Sequence, residues 1–272
     1  MSTPENGFAQ SPDYVQSLAR GLQVLRGFDA EHSNPTLADI AARTRLSRAA
    51  VRRLVLTLHH LGYLRTEGRG YALTPRVLEL GFGYLGTLNF TDLVQPMLES
   101  LAHSVNQSCS MAVLDAQHIV YIARVPVRRV MAVALGIGAR LPAFAASMGR
   151  VLLSGLSDAD FKVWLSQCQP RKLTPHTEVD PKRLHAIVDD VRAKQFAYVE
   201  QELEVGLCSI AVPIRNPSGR IAAALNVSLP YHEDVAREAH EAMLPSLRET
   251  ALALERSIPT HCLPAVSLAS PA

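Results

Sequence analysis

Between Ser47 and Leu61 the chain reads SRAAVRRLVLTLHHL, with three arginines and no carboxylate. A guanidinium pairs with phosphate and can fork onto the O6 and N7 edge of guanine. On a wheel of 100° per residue, Val51, Leu54, Val55, Leu58 and Leu61 form one apolar stripe. Arg48, Ala49, Arg52, Arg53 and Leu56 fall elsewhere. A solvated helix normally mixes signs, because opposite charges three or four residues apart stabilise it. This one presents alanines framed by arginines, a surface on which a backbone can approach a polyanion closely. Candidate DNA contacts are therefore Thr36, Ser47, Arg48, Ala49, Arg52 and Arg53, joined by Arg65 and Arg69 farther along.

Other reactive residue types offer weaker patterns. Ala145-Ala146-Ser147-Met148-Gly149 echoes the nucleophile elbow of serine hydrolases. It lacks the first glycine, and no oxyanion loop is evident. A hydrolase using Ser147 is the remote alternative, and a serine capping the following helix is the simpler account. The four cysteines show no CxxC spacing and the ten histidines form no HxxxH or HExxH pair. Reduced thiols and no metal site are expected. Cys208 reads as a buried strand thiol, and His59-His60 as a solvated helix end.

These residues need elements to hold them. The chain has 272 residues, 48% of them apolar, enough for two domains with real cores. Net charge is +2 overall, yet residues 1–90 hold ten arginines, no lysine and seven acids, a local surplus of three. No apolar run is long enough to span a membrane, and the N-terminus reads as neither a signal nor a transit peptide. A cytoplasmic location is expected. Residues 1–13 read as a disordered tail. Residues 17–28 carry a helical stripe. Thr36, with Asp39 three residues on, opens a short helix ending near Thr44. Ser47 caps the arginine helix and Gly62 stops it. Residues 63–66 and 71–74 flank a glycine turn as a hairpin. The pattern is a winged helix-turn-helix over 14–74. A linker helix over 75–91 follows, apolar on too many sides for one small core and suited to a second subunit. Residues 92–258 read as an α+β domain, with strands at 110–114, 119–125, 130–135, 196–200, 209–215 and 221–229. Helices are expected near 93–105, 147–155, 158–167, 181–195 and 233–256. The tail 259–272 reads as disordered.

Gly136–Leu153 reads GIGARLPAFAASMGRVLL, and Gln201–Ile214 reads QELEVGLCSIAVPI. Both are similar to the two signatures of the IclR family of bacterial transcriptional regulators. SLARGLQVL, SRAAVRR and the run 120–153 are similar to the β-ketoadipate branch. The resemblance covers about residues 15–257. It implies a GAF-like effector domain, a homodimer or homotetramer, double-stranded operator DNA as partner, and control of aromatic-acid catabolism. p-Hydroxybenzoate or protocatechuate is the favoured effector, with β-ketoadipate or another carboxylic acid as the alternative. No cofactor and no catalytic activity are expected. Carried over by position, the implied effector residues are Ser147, Met148, Glu200, Ser209, Asn226 and Ser228. Asn226 and Ser228 also alternate on one side of an apolar strand, as groups facing a polar object would. Arg124, Arg128, Arg129 and Arg140 are candidate anion partners.

Overall fold

The computed structural model describes residues 8–29, 32–87, 93–127, 136–257 and 265–266. The chain divides into two compact units, residues 1–84 and 85–270.

The first unit begins with α1 (Gln16–Leu25), α2 (Leu37–Thr44) and α3 (Arg48–His60). Thr36 and Asp39 form a reciprocal capping box at α2, and the Ser47 hydroxyl accepts the Ala50 amide at the start of α3. The hydrogen bonds from Thr36 hold the Asp39 carboxyl below the ordinary carboxylate range. Arg45 turns the chain between the helices in the left-handed region, φ 53°. Gly62 ends α3 at φ 81°, a conformation that costs glycine little. β1 (Leu64–Glu67) and β2 (Gly70–Leu73) then pair antiparallel, Leu64 opposite Leu73. Val24, Ile40, Val51, Val55, Leu58 and Leu64 close the core. Leu61, expected in the core stripe, is 48% exposed. It is the C-cap of α3, still helical in its backbone, and it lies at the edge of the stripe, about 80° from Val51 on the wheel.

A 3-10 turn, Pro75–Val77, leads into α4 (Leu78–Thr87), the start of the expected linker helix. Leu78, Leu80 and Phe82 are all more than half exposed.

The second unit is an antiparallel sheet with helices on both faces. Its strands are β3 (Ser108–Asp115), β4 (His118–Val125), β5 (Arg140–Pro142), β6 (Ala197–Glu200), β7 (Leu207–Arg215) and β8 (Ile221–Pro230), in the order β5-β4-β3-β8-β7-β6. α5 (Gln95–Val105) covers one face with α9 (Val235–Glu238), a π-helical turn (Ala239–Met243) and α10 (Leu244–Ser257). The long helix expected from residue 233 is thus interrupted. α6 (Ser147–Ser154), α7 (Asp158–Gln167) and α8 (Pro181–Lys194) lie on the opposite side. The strand expected at 130–135 lies outside the described residues. β5 was not foreseen, because three residues are too few to show an alternation.

Strand periodicity separates two cores. Met111, Cys208, Ile210, Val212 and Leu225 pack toward α5 and α10. Ala112, Ala211 and Ala224 are the small residues on the other side, where α6 comes close. Gly149 lets α6 lie against the 3-10 turn before it (Ala143–Ala145): a Cβ there would collide with the Ala143 carbonyl. Among the described residues no helix is long and apolar enough to cross a membrane.

Candidate nucleic-acid interface and effector cavity

The first unit gathers several of the named residues on one concave surface. Thr36, Arg48, Ala49, Arg52 and Arg69 line a shallow groove between the start of α2, the outer face of α3 and the hairpin. Arg48, Ala49, Arg52, Arg53 and Leu56 are all exposed. Among the described residues Arg48, Arg52, Arg53 and Arg69 make no ion pair, whereas Arg43 and Arg65 do. Arg65 holds Glu67 at 2.8 Å on its own hairpin. Arg53 instead lines the groove between α1 and α3. Thr36 commits its hydroxyl and amide to Asp39. The hairpin is tied to the base of α2: the Tyr71 amide donates to the Pro35 carbonyl at 3.0 Å, and Asn34 Nδ2 to the Glu67 carbonyl at 3.1 Å. Arg69 is thereby carried to the same groove as the α3 arginines. Sequence spacing alone could not show this, because it depends on how the hairpin folds back.

The second unit holds a cavity of about 650 Å³ between the sheet and the start of α6. That is a usual size for a small-molecule site. Ser147, Met148, Ser209, Asn226 and Ser228 all line it. Their convergence follows from register. Ser108, Ser228 and Ser209 stand side by side across β3, β8 and β7, and Ser110 and Asn226 form the next row. The Ser147 hydroxyl donates to the Ser209 hydroxyl at 2.8 Å. Ser147 was expected to cap its helix. It is instead the first residue of α6, whose cap position is Ala146 and has no side-chain bond.

Glu200 is the misplaced member. Along β6 the side chains alternate, and Val199 faces the cavity. Glu200 points to the other face, where its carboxylate accepts the Tyr198 hydroxyl at 2.8 Å. The assignment was one residue off, which on a strand means the opposite side.

Of the four candidate arginines, Arg124 lines the cavity, with its guanidinium over the Tyr121 ring. Burial pushes the Tyr121 phenol up to about 12, so the ring stays neutral. Arg140 forms an ion pair with Asp115, and Arg128 and Arg129 lie outside the described residues. Cys208 is fully buried, and burial raises its thiol pKa, the opposite of a reactive thiolate.

Sequence reasoning missed Ser108, Tyr121 and Val199, which line the cavity, and Ser110, which pairs with Asn226 on the neighbouring strand without being part of the lining. The signal existed for the serines, since Ser108 and Ser110 alternate on β3 as Asn226 and Ser228 do on β8. It also missed how the two signatures meet. Arg150 of the first lies 2.7 Å from Glu202 of the second, with side chains 5% and 13% exposed. Arg150 Nε also donates to the Phe144 carbonyl at 3.0 Å, and Glu202 accepts the Glu178 amide at 2.8 Å. Thr174 and Thr177 donate to the carbonyls of Gln201 and Glu202. These bonds fix the segments that supply Ala145, Ser147 and Leu203 to the cavity wall.

Two family models match the chain. One, described as the bacterial transcriptional regulator IclR C-terminal domain, matches residues 82–256, and the IclR helix-turn-helix domain matches residues 17–68. The Pca regulon regulatory protein of Pseudomonas putida is 42% identical over 241 residues, 88% of this chain and 83% of that protein. The p-hydroxybenzoate hydroxylase transcriptional activator of Acinetobacter baylyi is 35% identical over 248 residues, 89% of this chain and 91% of its own. A crystal structure of an IclR homolog from Microbacterium hydrocarbonoxydans, complexed with 4-hydroxybenzoate, superposes with a TM-score of 0.76 at 26% identity. It covers 88% of this chain and 98% of that one.

Proposed function

The chain belongs to the IclR family of bacterial transcriptional regulators, and from that premise we propose that it controls aromatic-acid catabolism by binding operator DNA and a small aromatic acid. The second helix of a helix-turn-helix enters the major groove with its N-terminal residues. Here that end is Arg48, Ala49 and Arg52, unpaired and exposed. Arg69 reaches phosphate from the hairpin. p-Hydroxybenzoate or protocatechuate is the favoured effector. The observation that carries this is the cavity itself: serine hydroxyls and Asn226 on its sheet side, Arg124 and Tyr121 at its wall, and apolar side chains such as Met148, Val199 and Leu141 for a ring. Ser147 is a binding hydroxyl and not a nucleophile. Its hydrogen bond runs to another serine rather than to a histidine base.

Selection from a random duplex library with the full chain tests the reading, followed by titration of p-hydroxybenzoate, protocatechuate and β-ketoadipate. One discrete sequence should enrich, and one aromatic acid should change its affinity by about fivefold or more, the usual scale of allosteric coupling. No enrichment, or no response to any of the three, overturns it.

The same reading includes self-association. Leu18, Leu22, Leu61, Leu78, Leu80 and Phe82 leave an apolar surface on the first unit, each more than 40% exposed. Such a patch marks an interaction site, and a second copy suits two-fold operators. Leu80→Glu with Phe82→Glu is expected to shift the mass in sedimentation equilibrium toward the monomer. An unchanged mass removes this face from the interface.

A further inference from the structure

Among the described residues, one polar atom of the cavity lining, on Asn226, and one on the neighbouring strand, on Ser110, have no partner. Ser110 Oγ and Asn226 Oδ1 are buried and make no hydrogen bond, and their residues are 0% and 3% exposed. An unmade bond on a buried polar atom is costly, so such atoms call for an occupant. They are not scattered. Ser110 and Asn226 are register partners on adjacent strands, β3 and β8. Facing side chains at such positions lie about 5 Å apart at Cβ, so one oxygen between them can reach both. Asn226 Nδ2 is already engaged, donating to Ser228 Oγ at 3.3 Å. What is left is an acceptor on Asn226 and a hydroxyl on Ser110.

That pair discriminates between polar groups. A carboxylate has no hydrogen to give Asn226 Oδ1. A hydroxyl donates to it and, with its own oxygen, accepts from Ser110. The second polar row, Ser108, Ser228 and Ser209, lies two residues away along the strands, about 7 Å. Ser147 adds its hydroxyl there, at the uncapped N-terminus of α6. That end carries hydroxyl donors and the positive pole of a helix, the environment a carboxylate prefers. The two rows are separated by about the length of a benzene ring with polar groups on opposite carbons. Arg124 extends the Ser110 row on β4, and its guanidinium leans on Tyr121 instead of entering between the pair.

We propose that Ser110 and Asn226 form a hydroxyl-recognition subsite that makes the cavity selective for a para-hydroxylated aromatic acid over the same acid without the hydroxyl. The inference rests on the aromatic-acid reading above and adds the orientation: carboxylate toward Ser147, Ser209 and Ser228, phenol toward Ser110 and Asn226. Ser110 is then a specificity residue, and the unpartnered state of the empty protein is the cost of that selectivity.

Calorimetric titration of the full chain with benzoate and with p-hydroxybenzoate tests it, on the wild type, Ser110→Ala and Asn226→Ala. The wild type should bind p-hydroxybenzoate at least tenfold tighter than benzoate. Ser110→Ala should cut that ratio at least fivefold while leaving the benzoate Kd unchanged, and Asn226→Ala should cut it too. Because an unpaired buried hydroxyl has been removed, the unliganded Ser110→Ala protein should melt about 2 °C higher. A lower melting temperature would mark Ser110 as structural and overturn the assignment. An equal loss of affinity for both acids would place the carboxylate on this row, and overturns it as well. So does a ratio that survives in both variants, or equal binding of the two acids to wild type. If neither acid binds the wild type, the aromatic-acid reading itself fails and the subsite with it.

Discussion

Arg150→Met is expected to destabilise the second unit by about 3 kcal/mol, the scale on which a buried ion pair fails when one partner is removed. The loss does not measure the pair's net contribution. It comes from Glu202, whose side chain is 13% exposed and would keep its charge with only the Glu178 amide for company. The Phe144 carbonyl loses its donor at the same time. The chain's one tryptophan, Trp164, is buried in the same unit, so its fluorescence in urea reports this transition. The double variant Arg150→Met, Glu202→Leu should recover part of the loss, since two apolar side chains leave no charge stranded. A single variant as stable as wild type, or a double variant no better than the single, would show that the two signatures are not held together by this contact.

Arg48→Ala combined with Arg52→Ala is expected to lower operator affinity by about two to four orders of magnitude, taking about 1–3 kcal/mol for each base or phosphate contact. The two residues are exposed and unpaired, so stability should move by no more than about 0.5 kcal/mol. Fluorescence anisotropy on the selected duplex at several salt concentrations separates their roles. A lost phosphate contact lowers the salt slope by about one, and a lost base contact leaves it unchanged while relaxing the sequence preference. Arg53→Ala should cost less, because Arg53 lines the groove between α1 and α3 instead. Affinity within threefold of wild type for the double variant would remove α3 from the DNA.

The first unit was legible residue by residue because local chemistry decides it. The Thr36–Asp39 box, the Ser47 cap and the Gly62 stop each act within a few residues and appear where the spacing put them, and the glycine hairpin forms with strands at 64–67 and 70–73, one residue from the expected 63–66 and 71–74. Leu61 departs because it sits at the edge of the apolar stripe. In the second unit the strands and helices were largely legible as elements, yet Glu200 was placed in the cavity and Val199 overlooked. On a strand, which of two neighbours faces a site depends on partners far away in sequence. Motif position carries an uncertainty of one residue, and one residue is a full change of side.

What the sequence determined by itself is the family, the two-part α+β architecture and the acid-free arginine helix, since caps, turns, periodicity and signature spacing are written locally. Tertiary structure alone decided that Arg69 joins Arg48 and Arg52 while Arg53 lines the groove between α1 and α3, that Arg150 meets Glu202, and that Ser110 and Asn226 stand together without partners. Each of these rests on strand register or on a hairpin folded back against a helix. Such pairings join residues tens of positions apart, and no local preference encodes them.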